Sequence, residues 1–496
     1  MATHLVSGSF QVSSKPARQP TCEFPHALLH NSSSHISVSI NLKRRQRNFR
    51  DYASKYGTIF RKSSTWTSQA VLGEPGSLEI SRNNSSLEVH DKNGLLMLKG
   101  LTFEGLEEWC VSKGEKPSRA LQLWRWMYYD NMWMRCFEDA AGSSSSSFGR
   151  AFRDKVEPLA TVDGGLELAD VHEASDGTRK LVFRVSEGPA AGGKVEAVLI
   201  PILRSSGRKE RITLCVSSQL GCAMNCQFCL TGRMGLGGNL LTAQIVEQLV
   251  EARRYLASVG DKTPITNVVF MGMGEPLHNL DAVLAATSIF CHPMGLHMSH
   301  NKISVSTVGL VPEMERFCRE SSAQLAVSLH ATTDEVRDWI VPVNRRYPIH
   351  ELMASLRSLF PSQDGAGSTR RHVLIEYLML RGINDTEDDA RRLLELLEGI
   401  EAKINLLIFN PHVGTMFAAS TDEQIARFRS ILIQGGRVCT VRDSRGDDQM
   451  AACGQLGDPV QRGGPLPPIL APPARFREGF GGGAGAPGEG ASPGPT

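Results

Sequence analysis

Between Ile212 and Phe409 the chain alternates short apolar runs with amphipathic stretches, and this restricts the fold more than any other feature. The runs are Ile212–Val216, Asn267–Met271, Ile303–Ser306, Leu325–Leu329, Val373–Leu378 and Ile404–Phe409. Between them, Thr242–Ala257, Leu280–Ile289, Ile349–Leu359 and Thr386–Leu397 repeat apolar residues at three- and four-residue steps, the period of a helix that buries one face. A strand, a helix and a further strand predict parallel pairing, because the helix carries the chain back to the same end of the sheet. Six such repeats predict an α/β fold, a partial TIM-type (βα)6 barrel, with chemistry on the loops that follow the strands.

Those loops hold the reactive side chains. After the first strand comes Gly221-Cys222-Ala-Met-Asn-Cys226-Gln-Phe228-Cys229, a C-x3-C-x2-C array. Thiolates are the usual ligands of iron–sulfur clusters. Four would close a cubane cluster, whereas three leave one iron open to a small molecule. A zinc site completed by a distant residue is the alternative, although zinc ligands usually come as paired Cys-x-x-Cys or Cys/His units. Gly272-Met-Gly274-Glu275-Pro276 follows the second strand, where glycines let backbone approach a ligand and Glu275 can accept from an ammonium. Ser306 ends the third strand, Ser328-Leu329-His330 the fourth and Asn410-Pro411 the sixth. Singly, each reads as a structural hydrogen-bonder or a helix cap. Together at one rim they predict a ligand site.

Composition changes at both ends. Residues 1–73 hold ten Lys or Arg, thirteen Ser and two acids, Glu23 and Asp51, with Lys43, Arg44, Arg45 and Arg47 clustered. This predicts a leader and linker over residues 1–90, for a plastid ahead of a mitochondrion; a basic RNA-binding arm has the same composition. Residues 91–160 predict a small helical domain, from Leu106 and Trp109 and from Leu121, Trp124 and Tyr128. There Arg119, Arg125 and Arg135 lie among Trp124, Trp126 and Trp133, a mixture that stacks bases and holds phosphates or, equally, builds a core. Residues 161–457 form the predicted catalytic domain, opening with β-like runs at Lys180–Val185 and Val195–Ile200. Ser143–Ser147 and Pro361–Thr369 read as loops, and residues 458–496, rich in Gly and Pro, as a disordered tail. No apolar run approaches the ~20 residues of a membrane span. The net charge of +2 means that any nucleic-acid contact comes from local basic patches. Eleven cysteines in a long chain predict free thiols or metal ligands, not a disulfide framework.

Taken in order, Thr213-Leu-Cys215-Val-Ser-Ser-Gln-Leu-Gly-Cys222, the GMGEP segment, Ser-Leu-His330, Phe-Asn410-Pro and the closing RGDD…AACGQL around Cys453 resemble the RlmN-like dual-specificity RNA adenosine-C2 methyltransferases of the radical S-adenosylmethionine (SAM) superfamily. The resemblance runs from about Leu95 to Leu456. It implies a radical-SAM barrel, a [4Fe–4S] cluster on Cys222, Cys226 and Cys229, and a SAM pocket lined by Gly274, Glu275, Ser306, Ser328, Leu329, His330 and Asn410. It also implies two SAM molecules per turnover. Cys453 takes a methyl from the first; the second yields a 5′-deoxyadenosyl radical that abstracts hydrogen from this S-methyl, and the methylene adds to adenine C2. Cys215 then releases the product by forming a disulfide with Cys453, and Glu196 accepts the C2 proton. Taken alone, Cys215 and Cys453 read as buried apolar cysteines, and Glu196 reads equally well as an edge-strand charge.

The implied partners are ribosomal RNA, with transfer RNA as a second substrate, and a ferredoxin or flavodoxin as electron donor to a monomer in the plastid stroma. Methylation at adenine C8 by the related resistance-type branch is an enzymatic alternative. A non-enzymatic, zinc-stabilised RNA-binding factor is the other.

Overall fold

A computed structural model describes residues 89–129, 132–141, 147–203, 209–362, 371–458 and 466–477. Residues 1–88 of the predicted leader and linker (1–90), most of the predicted serine loop and most of the predicted Pro361–Thr369 loop lie outside them.

The described chain opens with helices α1 (Phe103–Ser112), α2 (Ser118–Tyr128) and α3 (Arg150–Val156). Thr102 caps α1 by accepting from the Gly105 N–H. Trp124 is fully buried, packed edge-on against Phe103 and Tyr128, and Trp126 and Trp133 lean on the same core. The tryptophan spacing therefore built core. Arg135 is bound to Glu251 at 3.1 Å. Beneath these helices, the fully buried Lys99 meets Glu247 at 2.6 Å, and Arg254 reaches the same carboxylate at 3.0 Å.

A ten-stranded mixed sheet follows. Its antiparallel part is β1 (Leu166–Glu173), β2 (Arg179–Val185), β3 (Lys194–Leu203) and β4 (Lys209–Cys215). After β4 a small hairpin, β5 (Gln219–Gly221) with β6 (Leu236–Asn239), brackets the cysteine loop and the short helix α4 (Leu230–Met234). Then come α5 (Thr242–Ser258), β7 (Ile265–Phe270), α6 (Leu280–Cys291), β8 (Ile303–Thr307), α7 (Val311–Glu320), β9 (Gln324–Ser328), α8 (Asp334–Ile340) and α9 (Ile349–Leu359). The chain continues through β10 (Val373–Met379), α10 (Glu387–Leu396), β11 (Ala402–Ile408), α11 (Asp422–Gln434) and β12 (Val438–Arg442). From β4 through β7 to β12, neighbours pair in parallel.

The six predicted parallel strands are present, and β12 adds a seventh. It escapes the pattern because this five-residue edge strand buries only Cys439 and so shows little apolar signal. The sheet curls: Val198 and Ile200 on β3, Thr213 and Cys215 on β4, Val269 on β7 and Glu376 and Asn405 on β10 and β11 all line one interior cavity. Alternate residues point inward, as a pleated wall requires. Among the described residues no helix is long and apolar enough to cross a membrane.

The predicted tail disorder does not hold over 466–477. There Phe476 stacks on Trp339, the Leu470 carbonyl accepts from the Trp339 indole at 3.2 Å, and the Leu470 N–H donates to Gln227 at 2.8 Å. Composition missed this because a proline-rich strap needs only a few anchors, not a helix or strand of its own.

Candidate active site

The cysteine loop leaves the sheet through a turn only glycine allows. Gly221 has φ +70°, and a Cβ there would lie 1.9 Å from the Gly235 carbonyl oxygen. The Cys222 N–H donates to that carbonyl at 2.9 Å. Cys222, Cys226 and Cys229 then line one cavity at the rim of the barrel, with Phe228, Gly274, Glu275, Ser306, Ser328 and His330. Burial raises all three thiols.

Glu275 is buried opposite them. Its carboxylate accepts from the Val308 N–H at 3.0 Å and the Leu277 N–H at 3.2 Å, while burial pushes it up to about 7. An incoming ammonium would restore its charge. His330 sits at φ +57°, its ring edge-on to Phe228 and its Nδ1 accepting from the Leu378 N–H at 3.0 Å. Burial, then the Arg337 cation, holds it down to about 3, so it is a neutral wall. The Ser306 and Ser328 hydroxyls lie 3.3 Å apart.

Two predicted pocket residues are placed differently. Leu329 turns its side chain into the core and offers only backbone, its carbonyl accepting from Arg337 at 2.9 Å. Asn410 lines the neighbouring cavity, donating to the Cys453 carbonyl at 3.1 Å and accepting from Ser444. It fixes the loop that carries Cys453.

That loop is stapled to the cysteine loop. The Leu230 N–H donates to the Gly454 carbonyl at 2.7 Å and the Thr231 hydroxyl to the Leu456 carbonyl at 2.6 Å. The RGDD acids hold its other side: Asp448 accepts from the Ser175 N–H at 2.9 Å, and Asp447 from Gln455 at 2.5 Å. Cys453 thus sits where the rim cavity meets a larger inner one, of about 350 Å³.

The inner cavity also holds Cys215, Glu376, Asn405 and Arg442. Cys215 is buried, and burial pushes its thiol up to about 12. Cys453, expected to be buried, is instead exposed at the cavity mouth, yet the protein crowded around it pushes its thiol up to about 11, and Arg442 pulls each back. Burial disfavours the Arg442 charge, but Glu376 and the two thiols outweigh this and raise it. Sequence reasoning missed Arg442, which closes the unrecognised β12. It also missed Glu376, an acid in an apolar run and so the same signal that singled out Glu196. Glu196 itself shares its strand face with Val198 and Ile200 but lines neither cavity. Its carboxylate accepts from the Gly457 N–H at 2.9 Å and lies 3.6 Å from Lys180. Gln219, fully buried, was missed as well; it accepts from the Glu275 N–H at 2.8 Å and so sets the GMGEP turn.

Residues 216–396 match the radical SAM superfamily, and residues 96–137 the ribosomal RNA large subunit methyltransferase N-terminal domain. A dual-specificity RNA methyltransferase RlmN of Geotalea uraniireducens is 43% identical over 359 residues, covering 72% of this chain and 96% of that protein. The chain belongs to the RlmN family. A second RlmN, from Magnetococcus marinus, is 42% identical over 75% of this chain and 98% of its own. Among solved structures, a radical SAM methyltransferase from Sphaerobacter thermophilus superposes with a TM-score of 0.63 at 37% identity, covering 73% of this chain and 98% of that one.

RlmN membership in the radical SAM superfamily implies an iron–sulfur cluster and SAM, and the donor set fits both. The three thiols are free and line one cavity, Cys226 buried and Cys222 and Cys229 half-buried. Among the described residues no three His, Cys, Asp or Glu side chains converge tightly enough for a single ion.

Proposed function

We propose that this protein methylates carbon 2 of an adenosine in large-subunit ribosomal RNA, with transfer RNA as a second substrate, using two SAM molecules per turnover. The observation that carries the reading is the position of Cys453, at the junction between a cavity walled by the three cluster cysteines and a second cavity holding Cys215 and Arg442. Cys222, Cys226 and Cys229 would hold a [4Fe–4S] cluster, which would supply the single electron needed for reductive cleavage of SAM.

The protein's own residues do the rest. Glu275 receives the SAM ammonium, and His330 and the two serines shape the pocket around it. The Cys453 thiolate takes the methyl of the first SAM, S-adenosylhomocysteine leaves, and the methyl is held at the cavity junction. Adenine C2 has no nucleophilicity for direct methyl transfer, so the carried methyl has to be activated as a radical before it adds. Once the adduct radical has given up one electron and the C2 proton, Cys215, which faces the same cavity, attacks the Cys453 sulfur. The S–C bond breaks, the released carbon takes a proton to complete the methyl, and the Cys215–Cys453 disulfide is reduced by an external thiol before the next turnover. Glu196 is the proton acceptor in this scheme, and its place on the cavity-facing side of β3 supports the role. Arg442 steadies both thiolates. We further infer a monomer acting in the plastid stroma.

Cys453→Ala is expected to bind the cluster normally, read as iron, sulfide and visible absorption, and to lose RNA methylation. Cys215→Ala is expected to accumulate a covalent protein–RNA adduct. Ordinary turnover by Cys453→Ala would refute the carrier role.

A further inference from the structure

The cysteine loop has an outer side that the methylation chemistry does not use. Cys226, Phe228 and Cys229 face the rim cavity, while Gln227, Leu230 and Arg233 face a separate surface cavity of about 220 Å³. Its remaining wall is His412, Val413, Gly414, Met416 and Phe417 together with Leu466 and Ile469 from the C-terminal strap. None of these residues lines either inner cavity. His412 joins surface to loop, its Nε2 lying 3.1 Å from the Phe228 carbonyl, next to Cys229.

Two properties distinguish this surface. It is apolar where it should be wet: Val413 is 92% exposed, Ile469 59%, Leu466 52% and Met416 39%. Exposed aliphatics grouped around a depression mark an interaction site. It is also cationic. The segments 221–234, 410–420 and 466–477 carry Arg233, His412, Arg475 and Arg477 and no Asp or Glu. Glu335 of α8 pairs with Arg475 at 3.0 Å.

We propose that this surface, made partly by the strap, is the docking site for a small acidic one-electron carrier protein that reduces the cluster through the Gln227–Leu230 wall. The inference rests on the radical-SAM reading. Radical cleavage requires an electron from outside, and a buried cluster receives it through the thinnest protein wall. Small, partly apolar, charge-steered contacts suit transient redox partners. In the step, the carrier gives up one electron and leaves oxidised, the cluster gains it, and no bond or proton moves at the surface.

RNA would also suit the arginines, but fully exposed aliphatics fit a protein better than a phosphate backbone.

The test compares wild type with Val413→Glu/Ile469→Glu, both exposed sites, and with Val413→Leu as the conservative control. An acidic [2Fe–2S] ferredoxin is titrated against each full-length, anaerobically reconstituted protein by calorimetry. SAM cleavage to 5′-deoxyadenosine is then driven either by that ferredoxin with its reductase or by dithionite. The double variant should bind ferredoxin about tenfold more weakly and lose ferredoxin-driven cleavage to a similar degree. Dithionite-driven cleavage should hold within about twofold, and Val413→Leu should match wild type. Raising the salt should weaken wild-type binding. Equal ferredoxin affinity and rate in the double variant would overturn the proposal. So would a raised KM for RNA under dithionite, which would assign the surface to RNA. Absence of dithionite-driven cleavage in wild type would instead defeat the radical reading, and the titration would still decide whether the surface binds the carrier.

Discussion

In the proposed scheme Cys453 acts as a nucleophile, yet its surroundings favour the neutral thiol. The protein crowded around it pushes it up to about 11, and the nearby Arg442 is the group that opposes this. Below its pKa the thiolate fraction rises with pH, so alkylation of Cys453 by iodoacetamide in SAM-free Cys215→Ser protein, read by peptide mass, should accelerate about tenfold per unit between about pH 7 and 9. A plateau below about pH 9 would contradict the desolvated thiol. Arg442→Met removes the favourable cation, so alkylation at about pH 8 should slow by roughly tenfold, one pKa unit. An unchanged rate would show that Arg442 does not act on Cys453. None of this could be read from spacing, since Arg442 reaches the thiols only through sheet curvature that brings β12 and β4 to one cavity.

At the scale of elements, hydrogen bonds between loops decide the site. The cysteine loop and the Cys453 loop are more than two hundred residues apart in the chain, yet backbone joins them at Leu230 and Gly454. The helical segment is anchored to α5 by the Lys99–Glu247 pair. Lys99→Met would leave Glu247 with Arg254 alone in a dry interior, at a cost of about 3 kcal/mol. Thermal unfolding of the variant should therefore begin clearly below wild type; coincident melts would mean that the pair adds nothing. The long helices and interior strands were legible because burial on one or both faces writes a period into the sequence. β1, with three of its eight residues half-buried and most of the rest exposed, and β12 at the opposite edge left no such record.

Across the whole molecule, the motif-bearing residues were the legible ones and their supports were not. The three cluster cysteines, Glu275 and His330 stand where the strand order placed them, at one rim. Gln219, Arg337 and Glu376 could not be chosen in advance, because a polar residue in an apolar setting has a purpose only once its partners are known. Arg337 illustrates this: fully buried, it spends its guanidinium on the Leu329, Val308 and Ser328 carbonyls and on Asn344, tying the ends of β8 and β9 together. The strap at 466–477 was invisible because its composition is that of a linker.

The central claim of the proposed scheme is that one cysteine, lining two cavities, carries the methyl, which loses a hydrogen while it is held on Cys453. Anaerobic single turnover with methyl-deuterated SAM, followed by mass analysis of the digested RNA and of the 5′-deoxyadenosine, tests this most directly. The account predicts 2-methyladenosine with one methyl deuterium replaced by hydrogen, and the missing deuterium on 5′-deoxyadenosine. A methyl group transferred with its full label, unlabelled 5′-deoxyadenosine, or a product methylated at C8 would contradict it.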